Sequence, residues 1–235
     1  MTATALAAHF TAEDWAALLF LIIAWAGIGR AIEHPPASRP SVAVLMAEYR
    51  REWMRQLVTR QPRIFDATVL DSLRQSTAFF ASACMIAIGG GVALLGNAER
   101  VVGMGMTGTA APAAAFVLQV KMLAALLFVV NAFLKFVWAN RLFGYCAILM
   151  AAVPNDPDHP AAYPRAAQAA EVNITAARSF NRGLHSVYFA LAMLAWLLGP
   201  LVLALAVPVA SAVQIRREFA STSRAAILNQ AGAGD

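Results

Sequence analysis

A chain of 235 residues that is 60% hydrophobic and only 13% charged, with a mean hydropathy of +0.62, is too apolar for one soluble domain, whose apolar share is nearer half and charged share nearer a quarter. This is the composition of a multi-pass, all-α membrane protein. Eighteen Lys and Arg against 13 Asp and Glu give a net charge of +5, which points to sidedness in a bilayer and not to nucleic acid; Cys84 and Cys146 both lie in apolar segments, which excludes a disulfide framework and a multi-cysteine metal or redox site.

The first apolar segment, Trp15 to Gly29, follows Thr11-Ala-Glu-Asp14. Thr11 can cap a helix start, and Asp14 three positions on completes a capping box. No Lys or Arg precedes it, so it lacks the basic start of a secretory signal and reads as a retained transmembrane helix over about 12–32, enough for roughly 30 Å of hydrocarbon.

A polar segment opened by Pro35-Pro36 and Pro40 comes next, with Ser41 as a cap. Val42, Leu45, Tyr49, Trp53, Met54, Leu57 and Val58 recur at three- and four-residue intervals opposite Arg50, Arg51, Arg55 and Arg60. That spacing predicts an amphipathic cytoplasmic helix over about 41–60. Its basic face and aromatics suit an anionic membrane surface, or equally a lid over the ends of later helices. Pro62 ends it, and Asp66 or Asp71 starts the next helix.

The second span, about 74–97, contains Gly89-Gly90-Gly91, and Ala83, Ala87 and Gly91 recur every four residues. Such a stripe of small residues lets a neighbouring helix approach closely. The third span, 113–141 extending to 153, is uncharged apart from Lys121, Lys135 and Arg141. A helix that long measures about 60 Å, so it must tilt, protrude or break. Lys121 and Arg141 make natural anchors at opposite interfaces, with Trp138 beside the second, and Leu142 to Val153 then projects and needs a protein partner. Asn131 lies one turn from Lys135, and Lys121 is close to the same face. This polar stripe predicts either a helix interface or a hydrated path. Snorkelling of Lys135, with Asn131 bonding a neighbouring helix, is the simpler account.

The fourth span follows Pro164 and an alanine-rich stretch into Val187 to Val213. It is predicted as one span over 184–213, kinked at Gly199-Pro200 and Pro208, because 30 residues are short for a helical hairpin.

Positive residues are retained on the cytoplasmic side. The loop after the first span holds Arg30, Arg39, Arg50, Arg51, Arg55, Arg60, Arg63 and Arg74, and the loop before the last adds Arg141, Arg165, Arg178 and Arg182. Arg100, Lys121, Arg216, Arg217 and Arg224 fall on the other side. The large polar loop is therefore expected in the cytoplasm of a cell-membrane protein, with both termini outside. Arg216-Arg217 sits awkwardly in that scheme and favours a re-entrant last helix.

Chemical motifs are few. Gly103-Met-Gly105-Met-Thr-Gly108 matches G-x-G-x-x-G but links two membrane helices, with no βαβ unit around it. His34 and His185 fall near cytoplasmic ends of spans, where a bis-histidine haem would need them, but neither has a second helical histidine, so an interfacial role is simpler and no cofactor is expected. Asp156, Asp158 and His159 share a proline-rich loop that reads as a solvated turn before a metal site. Asn173-Ile-Thr175 is a glycosylation sequon, silent on the cytoplasmic side. Asp66, Asp71, Arg178, Arg182 and His185 form a candidate cytoplasmic polar cluster for a phosphorylated or lipid substrate, with salt bridging at helix junctions as the simpler explanation.

Arg51-Glu-Trp53-Met, Arg63-Ile-Phe-Asp66 and Phe79-Phe-Ala-Ser82, leading into Ile88-Gly-Gly90 and Ala93-Leu-Leu-Gly96, resemble the membrane family known as domain of unknown function 599. Phe133-Leu-Lys135-Phe-Val-Trp138-Ala-Asn-Arg141 and Phe180-Asn-Arg-Gly183 through Tyr188 to Trp196 are similar to its later helices. The resemblance covers about Arg30 to Val207. It implies a membrane topology and no catalytic residue, and it draws interest to Lys135, Trp138, Arg141, Asn181, Arg182 and Tyr188.

The sequence thus predicts one integral membrane domain over 1–235, in contact with membrane lipids. Its expected role is non-enzymatic, through assembly as a homo-oligomer or an accessory subunit of a membrane complex. An oligomeric anion or small-solute channel lined by Lys121, Asn131, Lys135 and Arg141 is the alternative, and a membrane-embedded enzyme the third.

Overall fold

A computed structural model describes residues 9–103 and 111–230. Among these residues every regular element is helical: α1 Ala12–Glu33, α2 Val42–Leu57, α3 Ile64–Gly96, α4 Ala98–Gly103, α5 Ala111–Ala151, α6 Ala162–Leu194, a 3₁₀ turn Ala195–Leu198, α7 Pro200–Phe219 and α8 Thr222–Gln230. Among the described residues four stretches are long and apolar enough to cross a membrane, Ala12–Glu33, Ile64–Gly96, Ala113–Ala151 and Pro200–Asn229. The protein is an all-α polytopic membrane protein.

The helix starts follow the chemistry read from the sequence. Thr11 Oγ1 accepts the Asp14 N–H at 3.3 Å while Asp14 Oδ2 accepts the Thr11 N–H at 3.0 Å, the reciprocal pair of a capping box. Ser41 accepts the Val44 N–H at 3.3 Å and caps α2. α5 runs unbroken through 41 residues. α3 begins at Ile64, ten residues before the expected span, because the polar stretch up to Gln75 is helical too.

The chain forms two compact units. Unit 1 comprises Met1–Gly29, Ala83–Ala132 and Leu184–Gln214. Its core holds Ala17, Leu21, Ala125, Phe189, Ala192, Met193, Trp196, Leu203 and Val207, drawn from α1, α5, α6, the 3₁₀ turn and α7. Gly91 belongs here as well: a Cβ on it would stand 2.5 Å from Leu126 Cδ2. Of the predicted stripe, Gly91 packs against α5 of its own chain, whereas Ala83 and Ala87 are exposed.

A correction concerns the last span. Residues 184–213 do not form one kinked rod. The 3₁₀ turn ends at Gly199, whose φ of 124° and ψ of 164° suit glycine alone, and α7 starts at Pro200, a favoured first-turn residue. The chain then folds back, for Gln214 Oε1 bonds the ring of His185 and Leu203 and Val207 pack with Phe189 and Met193. Pro208 is accommodated inside α7.

Unit 2 comprises Arg30–Ser82, Phe133–Gly183 and Ile215–Asp235. Met54, Leu57 and Val58 of α2 are buried against Leu142, Phe143, Cys146 and Met150 of α5 and against Ala162, Ala166, Ala169, Ala170 and Ala176 of α6. The expected projection of α5 is thus covered by the chain's own α2 and α6, while Tyr49 and Ile148 remain exposed. Alanines on α6 permit close approach, and Cys146 Sγ lies 3.4 Å from the Ala169 carbonyl. Phe80, Phe136 and Phe180 form a ring cluster with centroids 5.3–5.6 Å apart.

The C-terminal tail is part of this unit. Glu218 Oε2 accepts the Ala43 N–H at 3.1 Å, Arg224 Nε donates to the Pro40 carbonyl at 3.0 Å, and the Arg39 guanidinium stands over the Phe219 ring. Arg216, Arg217 and Arg224 therefore share a compact unit with the first polar loop. The missed signal is Glu218: an acid near the end of α7 supplies an N-terminal acceptor to α2.

Candidate functional site

Polar side chains inside unit 1 collect in two clusters. In the first, Asp14 is 6% exposed. Its Oδ2 accepts from Thr11 Oγ1 at 2.9 Å, and its Oδ1 accepts the Trp196 indole N–H at 2.7 Å. Lys121 of α5 donates to the Trp196 carbonyl at 2.9 Å and stands over the indole, 5.2 Å from its centroid. One indole thereby joins α1, α5 and the turn before α7, its N–H, carbonyl and ring face all engaged.

Eleven residues along α1 and eleven back along α6, about 16 Å away, Trp25 and His185 make the second cluster. His185 Nε2 is 2.8 Å from the Trp25 carbonyl, and Nδ1 faces Gln214 Oε1. The imidazole stacks on the Trp25 ring and tilts against Phe189. Gly29 leaves room for it, since a Cβ there would stand 3.3 Å from Nε2. Asn131 Nδ2 donates to Ser186 Oγ at 2.8 Å beside it. Lys121 and Asn131 are ten residues apart on α5, as Trp196 and Ser186 are along the antiparallel chain, so both bonds belong to one register. Each bond satisfies a polar group that lipid would leave unpaired.

Several charges of unit 2 are paired. Arg182 grips Glu33 through Nε and Nη2, the latter at 2.5 Å, and that hydrogen bond holds the guanidinium pKa above its usual value. Arg60 pairs with Asp66, which is 0% exposed and also accepts the Trp53 indole N–H at 2.6 Å. Arg63 donates to the carbonyls of Val153 and Pro154, both at 2.7 Å, and of Val58 at 3.2 Å, gathering the ends of α2 and α5. Asn140 donates to Thr77 Oγ1 at 2.9 Å and to the Arg74 carbonyl at 3.0 Å.

The family model described as Protein of unknown function, DUF599, matches residues 16–223. The chain belongs to this family. No curated protein and no solved structure matches it.

Within this DUF599 chain the sequence-predicted polar groups divide. The stripe of the third span is not continuous: Lys121 and Asn131 bond neighbouring helices in unit 1, whereas Arg141 in unit 2 donates to Tyr145 Oη at 2.6 Å. Lys135 contributes its backbone carbonyl to Ser179 Oγ at 2.9 Å. Of the five residues of the polar cluster, Asp66 pairs with Arg60 and Arg182 with Glu33, Asp71 and Arg178 are exposed, and His185 bonds Trp25 and Gln214. Both ring nitrogens of His185 are engaged by Gln214 and Trp25, which removes it from haem ligation. Asp156 Oδ1 accepts the Asp158 N–H and His159 Nδ1 accepts the Ala161 N–H, local turn bonds. Asn173 of the sequon is fully buried. Of the glycine motif only Gly103 is described; Gly105 and Gly108 lie outside the described residues.

Trp196, Gln214 and Asn140 escaped the sequence reading. For Trp196 the signal is spacing: it stands eleven residues beyond His185, as Trp25 stands beyond Asp14.

Proposed function

We propose that this DUF599 protein acts through assembly, as a homo-oligomer or an accessory subunit, and that it crosses the membrane five times. Supporting the passes, unit 1 contains five helical stretches among the described residues, from α1, α3, α5, α6 with its 3₁₀ turn, and α7. Sixteen of the 18 Lys and Arg, all but Arg100 and Lys121, belong to unit 2. The positive-inside rule then puts unit 2 in the cytoplasm with the C-terminal tail and leaves the N-terminus outside.

One observation carries the assembly reading. On the basic unit large apolar side chains stand open: Ile64 is 72% exposed, Phe65 61% and Ile148 69%. On the water side no lipid covers such residues, and exposed apolar surface of that kind is characteristic of interaction sites. The stripe on α5 offers less support for conduction, because Lys121 and Asn131 are taken up in bonds between helices.

Native mass spectrometry of the complex extracted in mild detergent tests the reading. A closed homo-oligomer, or a defined larger complex dissociated by Ile148→Glu, is expected. A monomer at all concentrations, unchanged by Ile148→Glu, contradicts it.

A further inference from the structure

Along α2 the arginines find carboxylates, with one exception. Arg51 bonds Glu48 and Glu171, Arg55 bonds Glu52, and Arg60 just beyond the helix bonds Asp66. Arg50 has no carboxylate partner among the described residues. Its Nη1 donates to Asn173 Oδ1, an amide that is fully buried on α6. The orientation of that amide is fixed by its other end, where Nδ2 lies 3.5 Å from Cys146 Sγ on α5. The hydrogen-bond partner of Arg50 is thus formally neutral. Burial depresses the Arg50 pKa, whereas carboxylate hydrogen bonds raise that of its neighbour Arg51.

A guanidinium withdrawn from water without a counter-charge is costly, and the cost falls when an anion completes the pair. One edge of the Arg50 fork is held by Asn173, and the residue keeps partial solvent access. The remaining N–H donors match the paired oxygens of a phosphate group.

We propose that Arg50, oriented by Asn173 and Cys146, binds a phosphate group between α2, α5 and α6. Asn173 is a positioning residue in this site: its amide oxygen aims the guanidinium and supplies no charge. Asn173→Asp would place the missing negative charge internally and displace the ligand.

The test is thermal unfolding of the full-length protein in uncharged detergent, with inorganic phosphate against chloride at equal ionic strength. At about five times the dissociation constant, phosphate should raise the midpoint of the native protein by roughly 2–4 °C. Arg50→Gln and Asn173→Asp should both abolish the shift, and Asn173→Asp without phosphate should melt no lower than the native protein. A parallel arm compares nanodiscs of phosphatidylcholine with and without phosphatidylglycerol. An Arg50-dependent shift with phosphatidylglycerol alone would assign the same phosphate group to a lipid headgroup. A phosphate or lipid shift that survives Arg50→Gln, or no shift in either arm, would overturn the proposal.

Discussion

Gly183 and Gly91 make a controlled comparison at the scale of single residues. A Cβ on Gly183 would lie 2.6 Å from Cε1 of Phe136, a fully buried ring fixed by Phe80 and Phe180. A Cβ on Gly91 would meet the free end of Leu126 at 2.5 Å, and a leucine end can rotate away where a packed ring cannot. Gly183→Ala should therefore cost about 1–3 kcal/mol and Gly91→Ala distinctly less, read as the difference in urea or thermal midpoints of the two variants. Asp66 supports a second prediction. Removing its carboxylate leaves Arg60 and the Trp53 indole without their acceptor in a buried setting, so Asp66→Ala should destabilise by about 3 kcal/mol, and Asp66→Asn by less because the amide oxygen keeps the indole bond. A loss under 1 kcal/mol for Asp66→Ala would mean that water replaces the pair.

Among elements, the α6–α7 hairpin rests on Gly199. No other residue is at home at its backbone angles, so Gly199→Ala should cost about 1–3 kcal/mol, and by loosening α7 it should expose a cysteine placed at Leu203, a fully buried position, to a maleimide reagent. Unchanged labelling and stability would show that the turn tolerates a side chain. The same hairpin marks where the sequence was legible and where it was not. Capping at Thr11-Asp14 and Ser41, and the long apolar runs of α3 and α5, could be read directly because they are local: a cap or a periodicity is complete within a few residues. The hairpin was misjudged because 30 residues were measured against a full bilayer. Its two legs of about 15 residues each reach roughly 22 Å, shorter than the 22-residue α1. The polar groups on α5 were found, but their partners were not, since Trp196 and Ser186 meet Lys121 and Asn131 only through tertiary register. The partners within the cytoplasmic cluster were missed for the same reason. Residues at one level along their helices point to different neighbours, so Asp66 and Arg182 pair with Arg60 and Glu33.

At the scale of the whole molecule, charge and packing agree once the tail is placed by its contacts. Glu218 on Ala43 and Arg224 on Pro40 bring the tail to the first polar loop, and the basic pair Arg216-Arg217 ceases to be an exception to the charge asymmetry. An odd number of passes follows, and its most direct measurement is the sidedness of the two ends in the living membrane. Cysteines introduced singly at Ala12, at Ser38 and at Ser223, in a chain whose Cys84 and Cys146 are replaced by alanine, can be challenged in intact cells with a membrane-impermeant maleimide. Labelling at position 12 alone, with 38 and 223 reacting only after the membrane is opened, is the predicted result. Labelling of 12 and 223 together in intact cells would restore an even number of passes and contradict it.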